Sequence, residues 1–385
     1  MARSDRPALG RRVWNGVAYG PTVLLGERSS LLIVGPTQVG KTSSLVVPSL
    51  LNWTGALVVT SVKRDVVEMT KRWRASLGTV QVLDPGRDDG LTWNPLEGVH
   101  SLRHALRVAR DLTVSSSRHG DTDFWNSLAT KLVAALFVTA QERGRSIFDV
   151  AAVIESRDFA SWLVASMSGD ARELLRTFLE HEPKTLDGVV TTAETMVLPW
   201  RFRQPLAQVR SVVGAANTLY LCSPRGEQRH YEPLFRGALH MILEEQQRLV
   251  DEGRQCRLLL VLDEAASVAP LDDLDQLAAT LCGLDVTLVT VLQDFAQLAA
   301  RWGPGAASIV NNHTTRVVMG GLADPNVRSY LPELVDEKRE GRPLPLRQRP
   351  AGTALVVAGS RPVLALRVRP WWRSRRLRRR VGHQS

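Results

Sequence analysis

The feature that most constrains this chain is the stretch GPTQVGKT at residues 35–42. It fills every fixed position of the pattern G-x-x-x-x-G-K-[ST]. The apolar run LLIV (residues 31–34) precedes it and a helix-compatible segment follows it, which is the context that a phosphate-binding loop needs. A chance match in a glycine-rich turn would not bring both neighbours with it. The stretch therefore predicts a nucleotide-binding domain built from strands and helices.

The residue types in this loop fit phosphate and metal chemistry. Gly35 and Gly40 allow the backbone to curl so that its N–H groups face phosphate oxygens, and the following helix adds the positive end of its dipole. Lys41 can reach the β- and γ-phosphates, and the hydroxyl of Thr42 can bind Mg²⁺. We therefore predict ATP and Mg²⁺ as cofactors. The predicted nucleotide-binding residues are Gly35, Pro36, Thr37, Gln38, Val39, Gly40, Lys41, Thr42 and Ser43.

An acidic pair follows a second apolar run. The run LLLVL (residues 258–262) predicts a fully buried strand, and Asp263 and Glu264 come directly after it. In a P-loop ATPase the first carboxylate holds Mg²⁺ and the second can polarise the attacking water. Gln293 ends the next apolar run, where it can sense the γ-phosphate or orient water; a surface glutamine at a strand end is the alternative. We predict Lys41, Glu264 and Gln293 as catalytic residues, and Thr42 and Asp263 as metal ligands.

The order of elements predicts an α/β fold with an inserted helical domain. Strands and helices alternate through residues 31–100, which is typical of a mainly parallel sheet flanked by helices. Residues 101–200 show helical periodicity and no convincing strand, over a length that ordinary crossover helices do not need. The sheet then resumes in residues 201–370. Residues 1–30 are predicted to form an N-terminal arm and a short hairpin.

Residues 371–385 form a basic tail. The chain has a net charge of +10, and eight arginines lie between Arg367 and Arg380. Such a cluster suggests a polyanionic partner. Three interpretations stay open: contact with DNA phosphates, peripheral contact with anionic lipid headgroups, or a solvated end that binds nothing.

Cysteine usage and hydropathy predict a cytoplasmic protein without a membrane span. Cys222, Cys256 and Cys282 are odd in number and show no C-x-x-C spacing, which excludes a disulfide framework and a zinc site. No apolar run approaches the roughly 18 residues of a membrane helix, and the N-terminus lacks the apolar core of a signal peptide. Any membrane association is therefore expected to be peripheral.

Five segments in order carry a family resemblance: GPTQVGKT, LLNWTGALVVTSVKRDV, VLDPGRDDGLTWNPL, LLLVLDEAASV and LVTVLQDFAQLAARWG. Together they resemble the type IV secretion coupling proteins, the TraG/TraD class of conjugative DNA-transfer ATPases, over about Leu31 to Trp372. The resemblance implies a RecA-like P-loop NTPase with an all-helical insert that recognises substrate. It also implies a homohexameric ring around a DNA channel, DNA binding without sequence preference, and recruitment of a relaxase–DNA substrate to the secretion channel. The family's ATPase positions fall on Lys41, Thr42, Asp263, Glu264 and Gln293.

The sequence departs from the family pattern in three places. Family members commonly begin with transmembrane helices, and none is expected here. Many carry D-P-K-G-E after the second strand, where this chain has SVKRD and keeps only Lys63. The segment before the Gln293 strand often supplies a basic residue to a neighbouring subunit's nucleotide, but residues 281–284 read LCGL. Arg301 and Arg316 are the candidates to replace that residue.

We therefore predict an ATP-driven DNA translocase, or coupling ATPase, of the conjugative type IV secretion class. One alternative is an FtsK/HerA-like motor that moves DNA without a role in secretion. The other is a nucleotide-gated adaptor that binds ATP and recruits cargo without hydrolysis, which the missing basic residue favours.

Overall fold

The fold is described from a computed structural model, which covers residues 6–14, 17–62, 64–113, 120–223, 226–268, 271–334, 338–339, 342–343 and 346–382. Lys63 and the last three residues of the tail lie outside these ranges, as do residues 1–5 of the N-terminal arm. The described chain divides into two compact units. The first comprises residues 1–81, 211–222 and 245–385, and the second comprises residues 82–210 and 223–244.

A single large sheet dominates the first unit. The strands of the described chain are β1 (Ala8–Trp14), β2 (Val17–Leu24), β3 (Leu31–Val34), β4 (Ala56–Ser61), β5 (Val80–Leu83), β6 (Thr92–Trp93), β7 (Leu206–Ala207), β8 (Thr218–Cys222), β9 (Leu258–Leu262), β10 (Val286–Leu292), β11 (Thr315–Met319), β12 (Lys338–Arg339), β13 (Arg342–Pro343), β14 (Thr353–Ala358) and β15 (Leu364–Arg367). Two small sheets consist of β6 with β7 and of β12 with β13, and the other strands form the large sheet. The large sheet has the order β2-β1-β15-β14-β11-β3-β10-β9-β4-β8-β5.

The centre of this sheet is parallel and one side is antiparallel. Strands β11, β3, β10, β9, β4 and β8 pair in parallel, whereas β14, β15, β1 and β2 extend the sheet in antiparallel pairs. The central strands β3, β4, β8 and β9 are buried at every position, as their continuous apolar runs predict for a sheet covered on both faces. The predicted mainly parallel α/β fold is thereby confirmed.

Helices join and cover these strands. They are α1 (Val47–Asn52), α2 (Asp65–Ala75), α3 (Leu102–Asp111), α4 (Gly120–Glu142), α5 (Ile147–Ser156), α6 (Phe159–Ala165), α7 (Gly169–Leu179), α8 (Pro183–Val197), α9 (Gln228–Asp251), α10 (Ala265–Val268), α11 (Leu274–Thr280), α12 (Phe295–Trp302), α13 (Ala306–Asn312), α14 (Val327–Tyr330) and α15 (Arg375–Val381). A wide helical turn over Thr42–Val46 leads into α1.

The second unit is mainly helical and contains α3 to α8. Its central helix is α4, whose residues 132–140 are buried without interruption. Local signals set the boundaries of its neighbours: Ser146 and Asp149 form a capping box at the start of α5, and Pro183 occupies the first turn of α8. The two ends of the helical segment lie side by side, because β6 pairs with β7 and the ring of Trp93 packs edge-on against that of Trp200.

The basic tail is folded over residues 371–382. Leu377 of α15 is buried in an apolar cluster with Val47 and Leu51 of α1. The guanidinium of Arg380 lies 4.1 Å from the centre of the Trp73 ring and donates hydrogen bonds to Leu51 O and Asn52 Oδ1. Residues 371–382 are therefore packed on the first unit through Leu377 and the half-buried Arg380. This packing contradicts the interpretation of these residues as a solvated end, whereas contact of the exposed arginines with DNA or lipid stays a prediction.

Candidate nucleotide-binding site

The parallel strands bring the separate sequence motifs to one edge of the sheet. Val34 of β3 is in register with Leu292 of β10, and Leu262 of β9 is in register with Thr290 of the same strand. The residues that follow these strands leave the sheet at its carboxyl edge, where α/β folds bind ligands. The glycine-rich loop, the acidic pair and Gln293 therefore start from neighbouring strand ends.

The loop needs glycine for two different reasons. A Cβ on Gly35 would lie 2.6 Å from the Cβ of Met319, so a side chain there would collide with β11. Gly40 has φ +91°, and Gln38 also adopts a positive φ of 65°. The left-handed backbone at both positions turns the chain back toward the helix. The N–H of Ser44 then donates to Gly40 O at 2.9 Å, which closes the first helical turn.

Lys41 is folded back over the loop that carries it. Its ammonium group donates to Gly35 O at 2.5 Å and to Pro36 O at 2.9 Å. Burial lowers the pKa of Lys41, while the nearby carboxylates of Asp263 and Glu264 oppose that shift. The lysine is thus positioned inside the loop by two carbonyl groups, with carboxylates close by to compensate its charge.

Thr42 and Asp263 are joined directly. The Thr42 hydroxyl donates to Asp263 Oδ2 at 3.2 Å, and Thr60 donates to the main-chain carbonyl of Asp263 at 3.0 Å. Burial raises the pKa of Asp263 to about 6, and the neighbouring carboxylate of Glu264 adds to this effect. The hydrogen bond from Thr42 and the charge of Lys41 act in the opposite direction. Two oxygen ligands of the kind that Mg²⁺ prefers therefore face each other.

Glu264 has an unusual backbone. Its φ is +54°, a left-handed conformation that a non-glycine residue adopts at some cost in free energy. Its carbonyl accepts the N–H groups of Ser267 (2.9 Å) and Val268 (3.2 Å), so the turn into α10 holds it in place. Such strain is often found where a side chain must point in a required direction.

Gln293 lies beside the start of the loop. The N–H of Gly35 donates to Leu292 O at 3.3 Å, which ties the glycine-rich loop to the end of β10. The N–H of Gln293 donates to Gln297 Oε1 at 3.3 Å. The Gln293 side chain is half-buried. The strand end and its half-buried amide are therefore in the neighbourhood that the prediction required.

Two aspartates in this region were not predicted. Asp294 caps α12 by accepting the N–H of Gln297 at 2.7 Å, and its charge also acts on Lys41. Asp324 accepts the N–H groups of Phe295 (2.6 Å) and Ala296 (3.2 Å). These bonds fix the turn that follows Gln293. An N-cap signal was readable at Asp294, but nothing in the local sequence connects Asp324 to this turn.

The candidates for a trans-acting arginine occupy different surroundings. Arg301 lies on α12 with its Nη2 3.7 Å from Asp272 Oδ1. Arg316 lies on β11 and is half-buried. The segment 281–284 forms a short 3₁₀ turn before β10. Arg316 therefore lies on the strand that pairs with β3, and Arg301 lies on the helix that follows β10.

We searched the described residues for a helix that could span a membrane and for a cluster of side chains that could hold a metal ion. Within the described ranges, no helix has the length and apolarity that crossing a bilayer requires. No group of three or more His, Cys, Asp or Glu side chains in those ranges is arranged to hold a metal. Cys222, Cys256 and Cys282 are free thiols, and the first two are buried.

Two family models match the sequence. The model described as "Type IV secretory system Conjugative DNA transfer" matches residues 7–195, and the model described as "TraM recognition site of TraD and TraG" matches residues 257–342. Together they cover more than two thirds of the chain. The matches span both the glycine-rich loop and the acidic pair.

Individual relatives agree with these models. Protein VirD4 of Rhizobium rhizogenes is 23% identical over 346 residues, which cover 83% of this chain and 51% of that protein. Conjugal transfer protein TraG of Escherichia coli is 23% identical over 314 residues, covering 70% of this chain and 49% of that protein. The chain thus spans about half the length of the curated relatives it matches.

The same fold is found among solved structures. Plasmid coupling protein TrwB in complex with ADP and Mg²⁺ superposes with a TM-score of 0.65 at 18% sequence identity. The match covers 96% of this chain and 91% of that one. At this identity the likeness establishes the fold, which is the RecA-like arrangement that the sequence resemblance implied.

Proposed function

Because the chain belongs to the type IV secretion family of conjugative DNA-transfer proteins, we propose that it is an ATP-driven coupling ATPase that moves DNA toward a secretion channel. The observation that carries this proposal is the contact between Thr42 and Asp263. It joins the phosphate loop to the acidic strand end, which is the arrangement that a nucleotide-hydrolysing P-loop protein uses.

In this proposal the loop holds the phosphates of ATP. Lys41 would exchange its bonds to Gly35 O and Pro36 O for phosphate oxygens, and residues 35–43 would supply backbone N–H groups. Thr42 and Asp263 would hold Mg²⁺, which supplies charge neutralisation of the phosphates when bound. The related plasmid coupling protein TrwB has been solved in complex with ADP and Mg²⁺.

Hydrolysis would depend on Glu264 and Gln293. Glu264 has the strained backbone described above, and its carboxylate is the group that would accept a proton from water. Gln293 would orient that water from the neighbouring strand end. Asp324 would act as a positioning residue, because its carboxylate fixes the turn next to Gln293.

Beyond ATP hydrolysis, the proposal includes assembly into an oligomer and binding of DNA and partner proteins. We propose a homohexamer that contacts DNA without sequence preference, recruits a relaxase or another secretion substrate, and docks on channel components. The helical segment within residues 101–200 would recognise the substrate, because it carries none of the loop or strand-end residues. The exposed arginines Arg375 and Arg379 of α15 would add peripheral contacts with DNA or anionic lipid.

A DNA-stimulated ATPase assay tests the proposal. Purified protein should release phosphate from ATP, and single- or double-stranded DNA should raise the rate, since translocation couples hydrolysis to DNA binding. The variant Lys41→Ala serves as the inactive reference. Absence of hydrolysis with and without DNA, in protein that still binds ATP, would replace this proposal with the adaptor.

Each alternative has its own discriminating result. The adaptor is favoured by residues 281–284, which form a turn without a basic side chain. An FtsK/HerA-like motor would show DNA-stimulated hydrolysis but no affinity for a relaxase. A pull-down of relaxase with the full chain, compared with the chain lacking the helical segment, therefore separates the secretion function from a general DNA motor.

A further inference from the structure

A pocket of about 440 Å³ lies on the first unit, at the side of the sheet where β15 ends with Arg367. Through the registers of β14 and β11, this end of β15 is level with the carboxyl end of β3. It is lined by β1, β2, the segment after β15, and the faces of α1 and α15 that carry Pro48 and Leu377. Its volume falls in the range of sites that hold small molecules. Its charge is unusual: the lining contains Arg6, Arg11, Arg367, Arg369, Arg373 and Arg376 and, among the described residues, no carboxylate.

Little within the described chain compensates these charges. Arg6 lies 3.7 Å from the exposed Glu27, and Arg11 donates to Gly20 O at 2.9 Å. No ion pair is found for Arg367, Arg369, Arg373 or Arg376 in the part of the chain that the structure describes. Six guanidinium groups around one concave surface therefore share one carboxylate, which itself lies outside the pocket.

The sheet places two of these charges directly opposite each other. Arg11 of β1 and Arg367 of β15 are paired in the antiparallel register. Like charges at directly opposed positions destabilise a strand pair. An anion bound between the two guanidinium groups would remove this repulsion, so the pairing itself points to a ligand.

The wall formed by α15 is held in position. Arg380 bonds to the end of α1 and covers Trp73, while Leu377 is buried against α1. Arg373 and Arg376 are consequently presented by an anchored segment, although both side chains are exposed. An anchored arginine loses less conformational entropy on binding a ligand than one on a free tail.

We propose that this pocket binds a compact anion carrying two or more phosphate groups, separately from the nucleotide in the glycine-rich loop. Guanidinium groups bind phosphate oxygens in pairs, and several of them around a concave surface match clustered phosphates better than an extended chain. The anion could be a free polyphosphate or the headgroup of an anionic lipid. The proposal does not depend on whether the chain hydrolyses ATP.

The pocket also reaches the helix that follows the loop, through Ser44 and Pro48. A nucleotide held by Lys41 could for this reason extend its base toward the pocket. The experiment must therefore separate an independent phosphate site from the base end of the nucleotide site.

The test is titration calorimetry with inorganic tripolyphosphate on the full chain carrying Lys41→Ala, which weakens the loop site. We expect binding at one equivalent. Adding R373Q and R376Q should weaken it about tenfold or more, equivalent to about 1.4 kcal/mol. The matched control adds R375Q and R379Q, which remove two exposed arginines of α15 that do not line the pocket. It should leave the affinity for tripolyphosphate within about twofold.

Three results would overturn the proposal. The first is that the protein binds neither tripolyphosphate nor the vesicles described below. The second is an equal loss of tripolyphosphate affinity in the two double variants, and the third is that adenosine competes with tripolyphosphate for binding. Equal losses would indicate a diffuse basic surface, and competition by adenosine would assign the pocket to the nucleotide base. A second arm uses vesicles containing a lipid with two phosphates. Vesicle binding that R373Q and R376Q abolish, without tripolyphosphate binding, would support the site and identify its source as a lipid headgroup.

Discussion

The hydroxyl of Thr42 donates a hydrogen bond to the carboxylate of Asp263 at 3.2 Å, although 221 positions separate the two residues in the sequence. Strand β10 lies between the strands that precede them and aligns their ends. The two side chains are therefore held close before any ligand binds. A preorganised pair of oxygen ligands costs less to assemble around a metal than two side chains that must first come together.

Replacing Lys41 by alanine should reduce ATP turnover about 100-fold or more, because a positioned positive charge on the phosphates is lost. The fold should persist, since Lys41 bonds only to carbonyls of its own loop. The measurements are phosphate release and thermal unfolding. Lys131→Ala, an exposed lysine on α4, is the control. Equal rates in wild type and Lys41→Ala would contradict the loop assignment.

Glu264→Gln should keep ATP binding and slow hydrolysis by about 100-fold or more, because an amide cannot accept the proton of water. A second variant separates the catalytic effect of the Glu264 side chain from the strain in its backbone. Glu264→Gly relieves the left-handed strain, so it should unfold at the same or a higher temperature and yet be inactive. Normal hydrolysis by either variant would move the catalytic role to another carboxylate.

Arg74→Met should lower the free energy of unfolding by about 3 kcal/mol or more, because buried acceptors lose their partner. The side chain is fully buried and donates to Trp53 O (2.6 Å), Gly55 O (2.7 Å) and Thr218 Oγ1 (2.7 Å). Urea unfolding measures the change. Lys71→Met alters an exposed cation on the same helix and should change stability by less than about 0.5 kcal/mol.

Acidification should destabilise the chain through His313. This ring is fully buried, donates from Nδ1 to Ile309 O at 2.7 Å, and accepts at Nε2 from Thr290 at 2.9 Å. Burial lowers its pKa to about 4. Below about pH 6.5 the unfolded chain takes up the proton first, so this contribution is complete above pH 6.5 and is lost toward pH 4.

The expected loss at pH 5 is about 2 kcal/mol relative to pH 7. His313→Gln should be less stable at neutral pH but show a flatter dependence on pH, whereas His100→Gln, at an exposed position, should keep the wild-type slope. An unchanged slope in His313→Gln would mean that other groups cause the acid dependence.

The sequence predicted those features that are local or that follow from strand order. The loop, the acidic pair and Gln293 were identifiable because each adjoins an apolar run, and parallel strands bring such ends together. The helical character of residues 101–200 was also identifiable, because helical periodicity is a local property of the sequence. The roles of these site residues stay predictions until variants are measured.

The remainder depends on contacts between distant parts of the chain. Three interpretations of the arginine-rich tail stayed open, because nothing local reveals that Leu377 packs against Val47 of α1. The burial of Arg74 was not predicted, since its acceptors Trp53 O, Gly55 O and Thr218 Oγ1 lie outside α2. Asp324 carries no motif at all, and its relation to the turn after Gln293 appears only when β11 and β10 are placed in one sheet.

The edge-on packing of Trp93 and Trp200 joins the two ends of the helical segment, so that the segment is attached as a module. The indole N–H of Trp200 donates to Trp93 O at 2.6 Å, and about a hundred residues lie between the two. A segment whose ends are tied together can change its length or sequence without displacing the chain that flanks it. Selection could therefore remodel what this segment recognises while the nucleotide site is inherited unaltered. A helical segment grafted from a relative would need to keep the pairing of its two ends and the contacts of Arg107 and Asp111 with α9.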